Sequence, residues 1–225
     1  MVMAISFQER VLENKDWATV LFVVCFALLA LAKTVFEGRF AEFSRLIFSD
    51  KYIKIYKDSS NLMSWFTILL FIVQVISIAF FIQFLLSYFS NGQISKTDWV
   101  LYLRLLTLTG VFILSKFLVE KIISVSFNIE EFIEQFNLQK VSYRTYLGLL
   151  LLPVNIFLFY NNNVSAAAIY SIISIILIIN VLTYLNSLKI YQNLIISKLF
   201  YFILYLCALE IAPYYFMYYW FTKKA

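Results

Sequence analysis

The sequence predicts an all-α, polytopic membrane protein, with about six transmembrane helices and amphipathic helical segments on the cytoplasmic side. Three observations carry this. Of the 225 residues, 63% are hydrophobic and only 14% charged, with 24 Phe and 16 Tyr. A water-soluble domain of this length has too much surface for that ratio. Several apolar runs approach the ~20 residues that cross a ~30 Å hydrocarbon core as a helix. The runs are also continuous, whereas outer-membrane strands alternate polar and apolar residues over about ten positions. Backbone groups in lipid must be satisfied internally, so continuous runs mean helices.

Trp17 opens the first span, 17–36. The residues before it include Glu9, Arg10, Glu13, Lys15 and Asp16, a pattern too charged for a cleavable signal peptide. Beyond the span, Phe36, Phe40, Phe43 and Ile47 continue a helical stripe. The second span covers 63–89 and the third 99–119, with Asp98 placed to cap the latter. The fourth, 146–160, is short and broken by Pro153, and crosses comfortably only if Val141 to Arg144 extend the helix. The fifth covers 166–188 and the sixth 199–221. No remaining segment is long enough to fold alone, so residues 1–225 read as a single membrane domain.

Positive charge sets the expected orientation. Loops 33–62, 120–145 and 189–198 hold 11 Lys and Arg residues, while the N-terminus, loops 90–98 and 161–165 and the C-terminus hold 5. With six spans, both termini are then expected outside, on the far (periplasmic) side of the membrane from the cytoplasm. Within the long cytoplasmic stretch 121–138, Ile122, Val125, Ile129, Phe132, Ile133 and Phe136 form one apolar stripe, with Glu130, Glu131 and Glu134 mainly away from it. One reading is an interfacial helix resting on the bilayer. Surface helices usually carry Lys and Arg toward anionic headgroups, so the acidic outer face also fits a partner-contact helix. A third reading pairs it with the basic stretch DKYIKIYKD, 50–58, in the same chain.

Ionisable residues inside spans cost roughly 2.5–3.5 kcal/mol at a helix centre, so each asks for a reason. Lys116 lies near the cytoplasmic end of the third span and is expected to snorkel outward. Arg104 lies near the outer end of the same span. Glu210 falls near the middle of the sixth, in LCALEIAPYYFMYYW, where a carboxylate must be protonated, paired or hydrated. Pro213, one turn on, loosens the bond to residue 209. Three readings of Glu210 stand: a hydrogen-bonded lock between helices, a proton-coupled or ion-conducting site, or a contact to a partner's helix. Arg104 and Tyr214 are its candidate partners within the chain. Asn155, Asn180, Asn186, Gln74 and Gln83 are further candidates for hydrogen bonds across helices.

Enzyme signatures are missing from this pattern. There is no His, no HExxH, no phosphate-cradling Gly-rich loop, no Gly-x-Ser-x-Gly elbow and no pair of intramembrane acids. Cys25 and Cys207 lie within apolar runs and read as packing residues rather than a disulfide. No cofactor or metal is expected, and no nucleic acid. The expected partners are the lipid bilayer and other membrane-protein subunits.

FILYLCALEIAPY at 202–214, FILSKFLVEKI at 112–122 and KVSYRTYLGLLLLPVN at 140–155 together resemble a Bacteroidota family of small integral membrane proteins, a domain of unknown function. The similarity runs from NKDW at 14–17 into the last span, and LEIAPY is its most specific element. The resemblance implies an inner-membrane location and carries no activity. The expectation is therefore a non-enzymatic subunit or accessory protein of a cell-envelope assembly, with secretion or gliding machinery suggested by lineage. A proton-coupled transporter or channel component centred on Glu210 is the alternative, and a membrane-embedded enzyme the second. Glu210→Gln separates the first two, because it keeps the shape and hydrogen bonding but releases no proton.

Overall fold

The computed structural model describes residues 15–46, 52, 55, 56, 64–90, 94–126, 130–161 and 164–190, with side chains for all of these but 123, 130–136 and 184–190. The described helices are α1 (Asp16–Val35), α2 (Glu37–Ser44), α3 (Trp65–Phe89), α4 (Trp99–Ser126), α5 (Glu130–Tyr160) and α6 (Ala166–Ile190).

Local chemistry accounts for the boundaries. In α1, Asp16 stands in the first turn and Lys33 in the last, each at the favourable end of the helix dipole. Ser64 caps α3, its hydroxyl accepting from the Thr67 N–H. α3 then runs for 25 residues without Gly, Pro or charge. Asp98 caps α4 as expected, its carboxylate accepting from the N–H groups of Val100 (2.9 Å) and Leu101 (3.3 Å). Phe36, Phe40 and Phe43 do continue inward beyond α1: Phe43 is buried on α2, and the other two pack against it. Ile47 lies outside the described residues.

The helices run up and down side by side, with α3 at the centre against α1, α4 and α5, and α6 flanking α5. One end is tied by an aromatic knot. Trp17 stacks on Phe80 with ring centroids 5.7 Å apart, and meets Trp99, Tyr102 and Phe159 at 5.2, 5.1 and 5.9 Å. These rings come from α1, α3, α4 and α5, so one cluster registers four helices. Its polar edge is held too: the Trp17 indole donates to the Thr97 carbonyl, and Lys96 donates to that of Asn161. Cys25 is buried in the same cluster as a packing residue.

Four described helices are long and apolar enough to cross a membrane, not six: Asp16–Val35, Trp65–Phe89, Asn137–Tyr160 and Ala166–Thr183. They mark the chain as a multi-pass membrane protein. The expected third span is helical as α4, but it carries Arg104, Lys116, Glu120 and Lys121 and is not among the four. The expected sixth span lies outside the described residues.

The fourth span is corrected in the opposite direction. It is not a short, Pro-broken piece but part of a 31-residue helix that passes through Pro153. Pro153 removes only the bond to the Leu149 carbonyl, a loss that a packed membrane helix absorbs. A second correction follows. Residues 130–138, expected within a separate cytoplasmic helix, are the first turns of α5, continuous with the span. Glu130, Phe132, Ile133, Glu134 and Phe136 thus sit on its backbone, while Ile129 lies outside the described residues.

Candidate functional site

Two polar features stand out within the bundle, and both involve α5. The first is a seam with α3. Gly148 has no Cβ because none fits: an added methyl would meet the Gln74 side chain at 2.8 Å and its Cα at 3.1 Å. This close crossing lets side chains bond directly. The Thr145 hydroxyl donates to Gln74 Oε1 at 2.8 Å. Further along, Asn155 Nδ2 donates to the Ser77 carbonyl at 2.7 Å and to its hydroxyl at 3.0 Å. All four polar residues are buried. A small residue at the crossing with amide and hydroxyl links on either side is how helices adhere where lipid supplies no hydrophobic drive.

The second feature is a cavity of about 320 Å³ where the end of α4 meets the beginnings of α3 and α5. Lys116 and Glu120, one turn apart on α4, face Asn137, Lys140 and Arg144 on α5. Lys140 Nζ lies 3.3 Å from Glu120 Oε1, with side chains 11% and 6% exposed, so this is a buried ion pair. Lys116 is 7% exposed. The snorkelling expected of it is therefore incorrect: its stem points into the cleft between helices. Phe71, Ile113 and Phe117 form the apolar wall. Charged and apolar side chains thus share one lining.

A third cluster lies near this end of the bundle. The Arg39 guanidinium stands over the rings of Tyr56 and Phe66, at 4.6 and 5.0 Å, and its Nε donates to the Tyr52 hydroxyl at 3.4 Å. Burial pushes the Tyr52 phenol above its usual range, against the opposing pull of Arg39. Arg39 reads as a staple that fastens α2 to the start of α3.

Of the sequence-based candidates, Asn155 and Gln74 are found bonding across helices, as expected. Gln83 reaches the Asp98 carbonyl at the α4 cap. Asn180 instead donates to the Ile176 carbonyl of its own helix. Arg104 is exposed on α4. Glu210, Pro213 and Tyr214 lie outside the described residues, as does Asn186's side chain. The cavity cluster was not singled out from the sequence. Its one-dimensional signal is a pair of charged i, i+4 sets, Lys116/Glu120 and Lys140/Arg144, at the facing ends of consecutive helices. Among the described residues, no group of three or more His, Cys, Asp and Glu is placed to hold a metal.

Antiparallel apolar helices, polar links at a close crossing and a charged cleft between helix ends define an integral membrane bundle. The chain belongs to the family described as Domain of unknown function (DUF4271), whose model matches residues 18–221. No curated protein and no solved structure matches it.

Proposed function

We propose that the protein is a non-enzymatic integral subunit or accessory component of an inner-membrane assembly in the bacterial cell envelope, in a Bacteroidota lineage. The observation that carries this reading is the state of α6. Only 6% of its span is buried, against 50% for the α3 and α5 spans. Its exposed surface is not uniformly oily. Ala167, Ser171 and Ser174 recur at i, i+4 and i+7, all exposed, and this spacing of small residues lets another helix approach closely. A lipid-facing helix has no need of such a stripe. The seam supports the same reading, because Gln74 and Thr145, and Ser77 and Asn155, bond to one another and so tie helix to helix.

A photo-crosslinking residue placed at Ser174 of the full chain, in native membranes, tests this. The expected result is one discrete adduct of higher mass, with a second copy or with another membrane protein. Adducts confined to lipid, or to the same chain, would sink the subunit reading.

A further inference from the structure

The cavity at the α3–α4–α5 end has properties that the subunit reading does not use. Among its described lining residues are three cations, Lys116, Lys140 and Arg144, and one carboxylate, Glu120, which is engaged by Lys140. Arg144 is half-buried and offers a planar fork of donors suited to a phosphate. Asn137, 4% exposed, is a further residue of the cavity wall. The volume, about 320 Å³, suits a headgroup and the first carbons of a chain rather than a whole lipid. The way out is apolar: Ile68 and Leu114, on the rim, are 39% and 51% exposed on the flank of the bundle. That flank is where acyl chains lie.

We propose that this cavity binds the phosphate headgroup of an anionic membrane lipid, with an acyl chain leaving between Ile68 and Leu114. Arg144 holds the phosphate, with Lys116 adding positive charge to the same wall. The Glu120–Lys140 pair sets the spacing of α4 and α5. Free phosphate shares the anion chemistry but makes no use of Phe71, Ile113 and Phe117.

Native mass spectrometry of the delipidated full chain in detergent tests this, with phosphatidylglycerol, phosphatidylcholine and inorganic phosphate as separate probes. Phosphatidylglycerol is expected to bind at least about tenfold more tightly than phosphatidylcholine, as one charge-assisted contact implies. Arg144→Gln should remove most of that preference and leave phosphatidylcholine unchanged. Leu114→Trp, on the rim, should weaken the binding of both lipids by narrowing the exit. Lys121→Gln, exposed and outside the cavity, should alter neither. Equal binding of the two lipids would overturn the proposal, as would full retention of phosphatidylglycerol by Arg144→Gln. Displacement of lipid by inorganic phosphate alone would make this a free-anion site and refute the lipid assignment. If Arg144→Gln does not purify folded, Leu114→Trp decides, and unchanged phosphatidylglycerol binding then counts against the site.

Discussion

Helices α3 and α6 are matched in length and nearly so in composition. Each has 25 residues, and their spans have mean hydropathies of 2.6 and 2.3. Yet one is the hub of the bundle and the other lies on its flank. The difference is where their polar side chains turn. On α3, Gln74, Ser77 and Gln83 bond to Thr145, Asn155 and the Asp98 carbonyl, all on other segments. On α6, Ser171, Asn180 and Thr183 bond back to carbonyls of their own helix. Hydropathy decides which segments enter the membrane. The partners of a few polar groups decide which of them become the core.

That contrast can be broken experimentally. The largest loss is expected where the bundle buries charge. Lys140→Met removes the buried cation 3.3 Å from Glu120 and should lower stability by about 3 kcal/mol, the low end for a broken buried pair. Unfolding in mixed detergent and SDS reads this, and adding Glu120→Gln should restore most of the loss. A single mutant as stable as wild type would show that the pair holds nothing together.

Next comes the crossing itself. Gly148→Val forces a side chain into Gln74 and should cost about 1–3 kcal/mol by overpacking. Gly110→Ala is the paired control: its Cβ would meet Val75 at an ordinary 3.8 Å, so it should be close to neutral. Equal effects at the two glycines would mean that the α3–α5 approach is not special. Asn155→Leu removes both bonds to Ser77 and should cost about 1 kcal/mol on the same unfolding curve.

The smallest effect belongs to α6. Leu177, 59% exposed, should tolerate Ala within about 0.5 kcal/mol in the purified monomer. A loss comparable to that at Gly148 would mean α6 is as firmly covered as α3, and the contrast between the two helices would vanish.

Much of the fold was legible along the chain, for identifiable reasons. Trp17, Trp65 and Ala166 stand at or beside helix starts because continuous apolar runs bounded by Ser64, Asp98 or loop residues have few alternatives in lipid. Asp98 announced its cap by position alone. Gln74 and Asn155 were recognisable as bonding groups, since amides inside spans must find partners. Their actual partners, Thr145 and Ser77, lie 71 and 78 positions away and have no local signature. Pro153 misled in a definable way: a helix breaker in water is tolerated in a packed membrane helix, so the fourth span is longer than its apolar run. Lys116 misled too, because a cation near a helix end reads the same whether it points outward or into a cleft.

The sequence by itself determined the solvent and the helical class of the fold. A chain 63% hydrophobic and 14% charged, arranged in long uninterrupted runs, can satisfy its backbone only as helices in a bilayer. The tertiary structure alone decided which faces of those helices meet. Lipid is as apolar as the side chains it touches, so burial does not rank one helix pairing above another there. Close approach at Gly148, the hydrogen bonds at Gln74 and Asn155, and the charges around Lys140 make that choice, and they exist only once the helices are side by side.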